Sequence, residues 1–234
     1  MAASPLRRWS VAELHQDLHD RIVQGGLRPG EALSETRMAE QYGLSRTPVR
    51  QVVHRLVEEG LLRVVPQVGT YVAPIRLEAV RDSQFVREAL ETRAVALAAQ
   101  AATPAAVARL RACLDAQAEA IAAGKQARFF AADEAMHRML LEMAGRRGVW
   151  DLIASAKAQL DRVRHLSLEH GDWPALIFAQ HLDLVDRVAA RDAEGAAQVM
   201  QTHLRSVLLT VERIAAEHAA FFENEGPAPV RAAG

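Results

Sequence analysis

Residues 43–50 read GLSRTPVR, a sequence typical of a tight turn followed by the start of a helix. Gly43 permits the bend, and Ser45 is placed to cap the helix that follows. Arg46 and Arg50 are four residues apart and therefore project from one helix face. Guanidinium groups and hydroxyls at a helix start suit contacts to phosphates and to guanine edges in the major groove of DNA. The alternative interpretation is an ordinary amphipathic helix with solvated arginines.

The flanking sequence predicts two further helices and a hairpin. Leu14, Leu18 and Ile22 recur every four residues, which is the apolar stripe of one helix. Ser34 to Tyr42 predicts a second, short helix before the turn. Two short strands are expected after the third helix, at Leu61–Val65 and Thr70–Val72. Three helices followed by a hairpin predict a winged helix-turn-helix, whose hairpin would reach the DNA backbone or minor groove.

Composition narrows the class of protein. The chain has 234 residues, enough for two domains, and 50% of them are hydrophobic, enough for packed cores. A single cysteine, Cys113, excludes an intramolecular disulfide framework and suits a reducing compartment. We find no apolar signal region at the N-terminus and no run approaching the length of a membrane span. A cytoplasmic protein without membrane contact is therefore expected.

The charge distribution argues for dimeric DNA binding. Residues 1–75 contain nine arginines against eight acidic residues, a net charge of only +1. Residues 76–234 contain nineteen basic and twenty-one acidic residues, a net charge of −2. A domain with so little net positive charge should bind DNA weakly as a monomer. A homodimer, which doubles the phosphate contacts, is the natural expectation.

From about Arg76 the sequence predicts almost only helix, with glycines and prolines concentrated at the breaks. Six helices are expected, at 78–101, 104–123, 126–144, 148–168, 174–190 and 193–222. Together they predict an antiparallel helical bundle. The fold is therefore expected to be mainly α, with four parts: a winged helix-turn-helix over residues 1–73, a linker at 74–77, an all-α bundle at 78–223 and a flexible tail at 224–234.

Four side chains of this bundle have the spacing of a metal site. Asp133 and His137 are four residues apart, on one face of the third bundle helix. His181 and His203 are equidistant from residue 192, where a turn joins the last two helices, so an antiparallel pair would place them at one height. Three imidazoles and one carboxylate suit a divalent transition metal with room for another ligand. The alternative is that each histidine makes only a hydrogen bond between helices.

Two segments resemble a known family. LRPGEALSETRMAEQYGLSRTPVRQVVHRLVEEGLLRVVPQVGTYV, residues 27–72, closely resembles the N-terminal domain of GntR-type bacterial transcription regulators. DEAMHRMLLEMAG (133–145) and AQHLDLVDRVAARDAEGAAQVMQTHL (179–204) resemble the FCD ligand-binding domain of the FadR subgroup. The first resemblance implies operator DNA as a partner, with contacts from Ser45, Arg46, Thr47 and Arg50 and with Gly69 at the wing tip. The second implies a metal on Asp133, His137, His181 and His203.

The FCD resemblance also implies which metal and which effector to expect. The metal would be zinc, with nickel or manganese possible, and a small organic acid would coordinate it. Arg87 matches an arginine that often reaches the pocket, although it could instead pair with Glu91 one turn away. Arg162 and Arg164 are further candidates for the acid, but at most one of the two can face inward.

These expectations describe a bacterial transcription regulator, taken to be a repressor, and two other classes stand beside it. A metal-dependent enzyme could use the same ligands, because an open zinc position activates water. Against an enzyme, no general base with a convincing motif is found, and a DNA-binding domain would have no task. A structural DNA-binding protein could use the metal only as a staple.

Overall fold

The structure of the protein, a computed structural model, describes residues 9–167 and 173–223. Contacts between residues divide the chain into two compact units. The first comprises the described residues up to Ala79 together with those from Glu212 onward, and the second comprises Val80–Val211. The predicted tail at 224–234 lies outside the described residues. Among those described, no helix combines the length and the apolar character needed to cross a membrane.

The first unit contains the three predicted helices. They are α1 (Val11–Val23), α2 (Glu35–Tyr42) and α3 (Arg46–Glu58). A capping box formed by Ser10 and Glu13 begins α1, and the hydroxyl of Ser34 accepts a hydrogen bond at the start of α2. Gly43 ends α2 with a φ of 63°, a left-handed conformation that favours glycine and makes the predicted bend. The apolar stripes of the three helices are buried against one another.

A three-stranded antiparallel sheet completes the wing. Its strands are β1 (Ala32–Leu33), β2 (Leu62–Val65) and β3 (Gly69–Val72), in the order β1-β3-β2. The sequence did not predict β1, because two residues are too few to show an alternating pattern. Gly69 pairs with Val65 as the first residue of β3, at the base of the turn. The residue with a left-handed φ within the turn is Gln67, at 62°.

The end of the described chain pairs with the segment that follows β3. Ile75 and Phe222 form a parallel β-bridge, and both side chains are buried. The Ile75 N–H donates to the Phe221 carbonyl at 2.7 Å, and the Glu223 N–H donates to the Ile75 carbonyl at 2.9 Å. Residues 74–77 were predicted as a plain linker, but these bonds fix Ile75 within the first unit.

Helices make up the second unit, as predicted, but they are more numerous than the six expected. They are α4 (Leu77–Gln100), α5 (Pro104–Ala122), α6 (Gln126–Met143), α7 (Val149–Ala156), α8 (Ala158–Ser167), α9 (Trp173–Ala189), α10 (Ala193–Arg205) and α11 (Leu208–Glu217). The first residues of α4 and the residues of α11 from Glu212 onward belong to the first unit. The predicted fourth helix is interrupted at Lys157, and the predicted sixth at residues 206–207. Neither interruption contains glycine or proline, so no helix-breaking residue marks it in the sequence.

The core of this unit lies between five helices. Side chains of α4, α5, α6, α9 and α10 form one buried apolar cluster, with Val95, Leu110, Leu140, Leu184 and Met200 among its members. Within it α5 packs against α6 and α9, and α9 packs against α10. The turn between α9 and α10 is closed by Arg191, which has a left-handed φ of 58°, and by the Asp192 side chain, which accepts from the Gly195 N–H. This packing turns polar residues of α6, α9 and α10 toward a common point.

Candidate metal centre and DNA-recognition surface

The common point is a cluster of three histidines and one aspartate. Asp133 and His137 lie one turn apart on α6, His181 lies on α9 and His203 on α10, and all four are buried. One ligand atom from each lies within 4.8 Å of the others. His203 Nε2 is 3.3 Å from His137 Nε2 and 3.4 Å from His181 Nε2. The structure therefore brings together the four residues that the sequence singled out.

Each imidazole is oriented by a partner on its outer side. The outer nitrogens face acceptor oxygens at hydrogen-bond distance: His137 Nδ1 lies 2.5 Å from Glu91 Oε2, His181 Nδ1 2.7 Å from Gln117 Oε1, and His203 Nδ1 3.1 Å from Gln180 Oε1. A neutral imidazole has one N–H, so an Nδ1 that donates outward leaves a lone pair on Nε2. Three lone pairs therefore point toward the centre of the cluster, as in metal sites whose outer partners fix the tautomer.

The arrangement fits a divalent ion. The guanidinium of Arg164 binds Asp133 Oδ2, while Oδ1 is buried and has no hydrogen-bond partner among the described residues. Asp133 Oδ1 lies 3.5 Å from His181 Nε2. A tetrahedral zinc ion with bonds of about 2.0–2.1 Å needs ligand atoms about 3.3 Å apart. Three of the distances between the four atoms are 3.3–3.5 Å, and His137 Nε2 lies 3.9 Å from Asp133 Oδ1. Electron-rich atoms this close repel one another unless a cation lies between them, and this donor set suits zinc, nickel or manganese.

The ionisation states also suit a metal. Burial lowers the pKa of His181 to about 3 and the pKa of His203 well below its usual value, so both imidazoles are neutral at pH 7. Burial by itself would raise the pKa of Asp133. The positive charge of Arg164 is the largest of the effects that outweigh burial and hold that pKa well below its usual range. Neutral imidazoles and an ionised carboxylate are the forms that bind a metal ion.

A small cavity adjoins the cluster. It offers about 20 Å³ to the centre of a water molecule, and its polar wall consists of Asp133, His203, Arg87 and Arg164. Arg87 grips Glu91 with two hydrogen bonds, of 2.6 and 3.4 Å, so it is both a partner of Glu91 and a cavity residue. Arg87 therefore both reaches the pocket and pairs with Glu91, the two alternatives expected for it, and its side chain is buried.

Of the two arginines on α8, Arg164 lines the cavity and Arg162 does not. Arg162 is nevertheless buried, with 2% of its surface exposed. Burial lowers its pKa to about 10, so it stays charged at pH 7. The expectation that at most one of the pair faces the pocket agrees with this arrangement.

A buried ionic cluster holds Arg164 in place. Arg164 donates to Asp161 at 3.2 Å, and Lys157 binds both Asp161 and Glu134. Burial by itself would raise the pKa of Asp161, but Lys157 and Arg164 lower it, so the carboxylate is ionised. The guanidinium of Arg164 also lies 4.6 Å from the ring centroid of Phe130. The ionic cluster therefore presents Arg164 to Asp133 in one orientation.

Several of these residues were absent from the sequence-based set. Gln117 interrupts the apolar stripe of α5, where Leu110 and Leu114 are also buried, and a polar residue within such a stripe is the signal that could have revealed it. Lys157 and Asp161 gave no comparable signal, because a lysine and an aspartate four residues apart most often form an exposed helical pair. Their role depends on the burial of both side chains.

The exposed face of α3 carries the predicted DNA-contacting residues. Arg46, Thr47 and Arg50 are exposed and line one open groove together with Gln51 and His54. Arg50 Nε lies 3.3 Å from Glu35 Oε2, an ion pair in which 68% of the arginine side chain is exposed. Such a pair is weak, so the guanidinium can turn to another anion.

Ser45 occupies the N-cap position of α3, but its side chain makes no capping hydrogen bond. The prediction that Ser45 caps the helix through its hydroxyl is therefore wrong in this respect. Because Ser45 is exposed at the helix start, its hydroxyl is available for a contact outside the chain. Gly69, at the base of the wing turn, is exposed as well.

Family models match most of the chain. Residues 11–72 match the model of the bacterial regulatory proteins of the gntR family, and residues 82–206 match the FCD domain. The chain is 37% identical over 225 residues to an HTH-type transcriptional regulator in an unstable DNA locus of Streptomyces ambofaciens, covering 96% of this chain and 94% of the other. It is 32% identical over 213 residues to the HTH-type transcriptional repressor RspR of Escherichia coli K12, covering 91% and 93%.

Solved structures share the fold. E. coli McbR/YncC superimposes with a TM-score of 0.75 at 22% identity, covering 87% of this chain and 97% of the other. A GntR regulator from Rhodococcus sp. RHA1 gives a TM-score of 0.73 at 22% identity, again covering 87% and 97%. These relatives are regulators and not enzymes, which agrees with the sequence-based expectation. The chain thus belongs to the gntR family of bacterial regulatory proteins, and is a DNA-binding transcription regulator in which an FCD domain follows the helix-turn-helix.

Proposed function

We propose that this regulator is a homodimeric repressor whose affinity for operator DNA is controlled by a small organic acid bound at a divalent metal ion. The observation that carries the proposal is the convergence of four ligand atoms within 4.8 Å, each on a side chain with a hydrogen-bond partner on its outer side. The relative RspR is a transcriptional repressor, which supports repression as the direction of control.

Operator contacts are assigned to the start of α3 and to the wing. Ser45, Arg46, Thr47 and Arg50 lie in the first turns of the helix, where side chains and backbone N–H groups can meet phosphates and base edges. Gly69 lies at the base of the wing turn and carries no side chain of its own that would hinder close approach to the DNA backbone. With a net charge of only +1 over residues 1–75, one copy offers few phosphate contacts, which favours a dimer on a palindromic site.

The DNA assignment is tested by charge removal at α3. We expect the double variant Arg46→Ala/Arg50→Ala to bind operator more weakly by about 10- to 100-fold or more, since a base-reading arginine contributes about 1–3 kcal/mol. The matched control is Arg111→Ala, which removes an exposed arginine paired with Asp186 in the other unit. Fluorescence anisotropy with a palindromic duplex measures both. Equal affinity for the double variant and the wild type would refute the assignment.

The metal is proposed to be zinc, held by Asp133, His137, His181 and His203. Three neutral imidazole nitrogens and one carboxylate oxygen suit zinc, and nickel and manganese accept the same donors. When bound, the ion supplies a Lewis-acidic position for an oxygen ligand, and the adjoining cavity is the space from which a ligand would approach it.

Charge balance supports an anionic effector. Among the buried or half-buried ionisable side chains around the site that the structure describes, four carboxylates stand against four basic groups: Asp133, Glu91, Asp161 and Glu134 against Arg87, Arg164, Lys157 and Arg162. These charges sum to zero, so a divalent ion would leave an excess of two positive charges in a buried region. Unbalanced buried charge is unfavourable, and a carboxylate beside the ion reduces it.

Coupling to DNA is proposed to run along the chain. The chain passes between the two compact units twice, after Ala79 and after Val211. The second passage follows α10, which carries His203, and leads to Phe222, which is bridged to Ile75 in the DNA-binding unit. A ligand that shifts α10 can therefore act on the DNA-binding unit through α11 as well as through α4. It acts only if it binds one arrangement of the dimer better than the other.

The regulatory role is tested by reciprocity. If an acid changes operator affinity, operator must change the affinity for that acid by the same factor, typically about 5- to 150-fold. Isothermal titration of zinc-loaded protein with the acid, with and without operator duplex, measures that factor. An acid that binds with identical affinity in both titrations would leave the metal a structural staple without a regulatory role for that ligand.

A further inference from the structure

We infer that the effector site takes a short monocarboxylate whose remainder is apolar, and that it rejects acids bearing a second carboxylate or a hydroxyl beyond the α-carbon. This inference rests on the proposed carboxylate site and adds the chemical class of the ligand. Among the described residues, the cavity beside the metal cluster is lined by four polar side chains, which are metal ligands or arginines bonded close to them, and by six apolar side chains.

The charged groups that line the cavity in the described part of the chain lie beside the metal ligands. Asp133 and His203 are two of the four proposed ligands themselves. Arg164 binds Asp133, and Arg87 binds Glu91, whose Oε2 lies 2.5 Å from His137 Nδ1. Both guanidiniums are therefore one contact away from the ligand set. They can hold the oxygens of a carboxylate at the ion, but neither is placed to receive a second carboxylate at the far end of a ligand.

The other lining side chains among residues 9–167 and 173–223 are apolar, and we call them the apolar wall. Its side chains are Phe129, Phe130, Trp173, Ile177, Leu204 and Val207. Among these six side chains, the indole N–H of Trp173 is the one hydrogen-bonding group. A hydroxyl or carboxylate that entered this region would lose its hydrogen bonds to water and gain at most one hydrogen-bond partner. A methylene chain makes no hydrogen bonds to water and so would lose none. The cavity therefore discriminates by what the ligand carries beyond its carboxylate.

The size of the cavity indicates a short ligand. A space of about 20 Å³ for water centres is little more than the 10–15 Å³ or so that one water molecule requires. Even a short chain must therefore displace some of the six apolar side chains, and each further methylene displaces more, which limits the length of the ligand. An α-hydroxyl is compatible with the site, since it can share the metal ion with the carboxylate and does not have to enter the apolar wall.

The test compares two acids with equal numbers of non-hydrogen atoms. Pentanoate and 4-hydroxybutyrate differ in replacing the terminal methyl by a hydroxyl, and glutarate adds a second carboxylate. Titration calorimetry on the zinc-loaded full chain is expected to give pentanoate an affinity about 5- to 150-fold higher than 4-hydroxybutyrate, the range for an unsatisfied buried polar group. Glutarate should bind more weakly still, because it places a charge against the apolar wall.

A substitution in the wall provides the matched control. Val207→Thr places a hydroxyl in the cavity with little change in shape and should narrow the preference for pentanoate. Val199→Thr, on α10 but outside the cavity lining, should leave the preference unchanged. If 4-hydroxybutyrate or glutarate binds as tightly as pentanoate, the ligand class is wrong while the carboxylate site stands. If no acid binds the zinc-loaded protein, both the proposed carboxylate site and the proposed ligand class are refuted. Binding with the predicted preference but without any effect on operator affinity would support the class and refute regulation.

Discussion

Removal of the metal should destabilise the helical bundle by an amount that can be worked out from the site. An ion that binds only the folded state stabilises it by about 2.7 kcal/mol at a free concentration one hundred times the dissociation constant. For a chain of this size, 1 kcal/mol shifts the midpoint of thermal unfolding by about 2–4 °C. Chelation should therefore lower the melting temperature by about 5–11 °C from its value in a hundredfold excess of zinc.

Two variants connect this shift to the site. His181→Ala removes a ligand, so its melting temperature should not respond to chelator. Gln117→Ala leaves all four ligands but removes the acceptor 2.7 Å from His181 Nδ1. Loss of such an outer partner weakens metal binding by about 10- to 100-fold. At the same zinc concentration, the metal-dependent stabilisation should then fall from about 2.7 to between about 0.4 and 1.4 kcal/mol.

The assay is differential scanning fluorimetry with and without chelator, together with elemental analysis of the purified protein. His165→Ala is the control, because this imidazole stacks on Phe130 at a centroid distance of 4.7 Å and is not among the four converging ligands. It should retain the full response to chelator. A wild-type protein that melts at the same temperature with zinc and with chelator, and that carries no divalent ion, would refute the metal site.

Further predictions concern DNA binding, pH and the C-terminal segment. If Arg46 reads a base and Arg50 contacts a phosphate, Arg46→Ala should relax specificity at one position, while Arg50→Ala should weaken binding to all sequences and lower the salt dependence of affinity; titration against operator variants in varied salt distinguishes the two. Burial opposes ionisation of Glu59, but its bond to His15 lowers the pKa below the usual value, so its contribution is present above about pH 4.5 and is lost as pH falls through the lower, folded value. Glu59→Gln should therefore reduce the free energy of unfolding by about 1 kcal/mol at pH 7 and by less at pH 3, as measured by urea unfolding. An equal loss at both pH values would contradict the lowered pKa of Glu59. Phe222→Ala should destabilise the DNA-binding unit by about 3 kcal/mol through loss of a buried aromatic side chain; it should also reduce the acid-dependent change in operator affinity, and an unchanged response would exclude a role for the C-terminal segment in coupling.

Local patterns in the sequence were sufficient for much of the fold. The stripe at Leu14, Leu18 and Ile22 and the turn at Gly43 predicted helices that the structure confirms, because burial spacing and a left-handed glycine are properties of adjacent residues. The positions where α7 and α10 end could not be predicted. No glycine or proline marks residues 157 or 206–207, so the local sequence carries no signal of an interruption there. The two-residue strand β1 exists only through its pairing with β3.

The same division applies to the metal centre. By itself, the sequence determined the four candidate ligands, because Asp133 and His137 share a helix face and His181 and His203 lie at equal distances from one turn. Only the tertiary structure decided that the ligand atoms meet at one point. It also decided which residues contact the atoms on the outer side of the cluster: Glu91, Gln117 and Gln180 contact the histidine Nδ1 atoms, and Arg164 contacts Asp133 Oδ2. Those partners come from helices remote in sequence, and a contact between remote residues has no periodic signature. The apolar wall of the cavity, which sets the proposed ligand class, is likewise a product of packing, because α6, α9 and α10 each supply part of it.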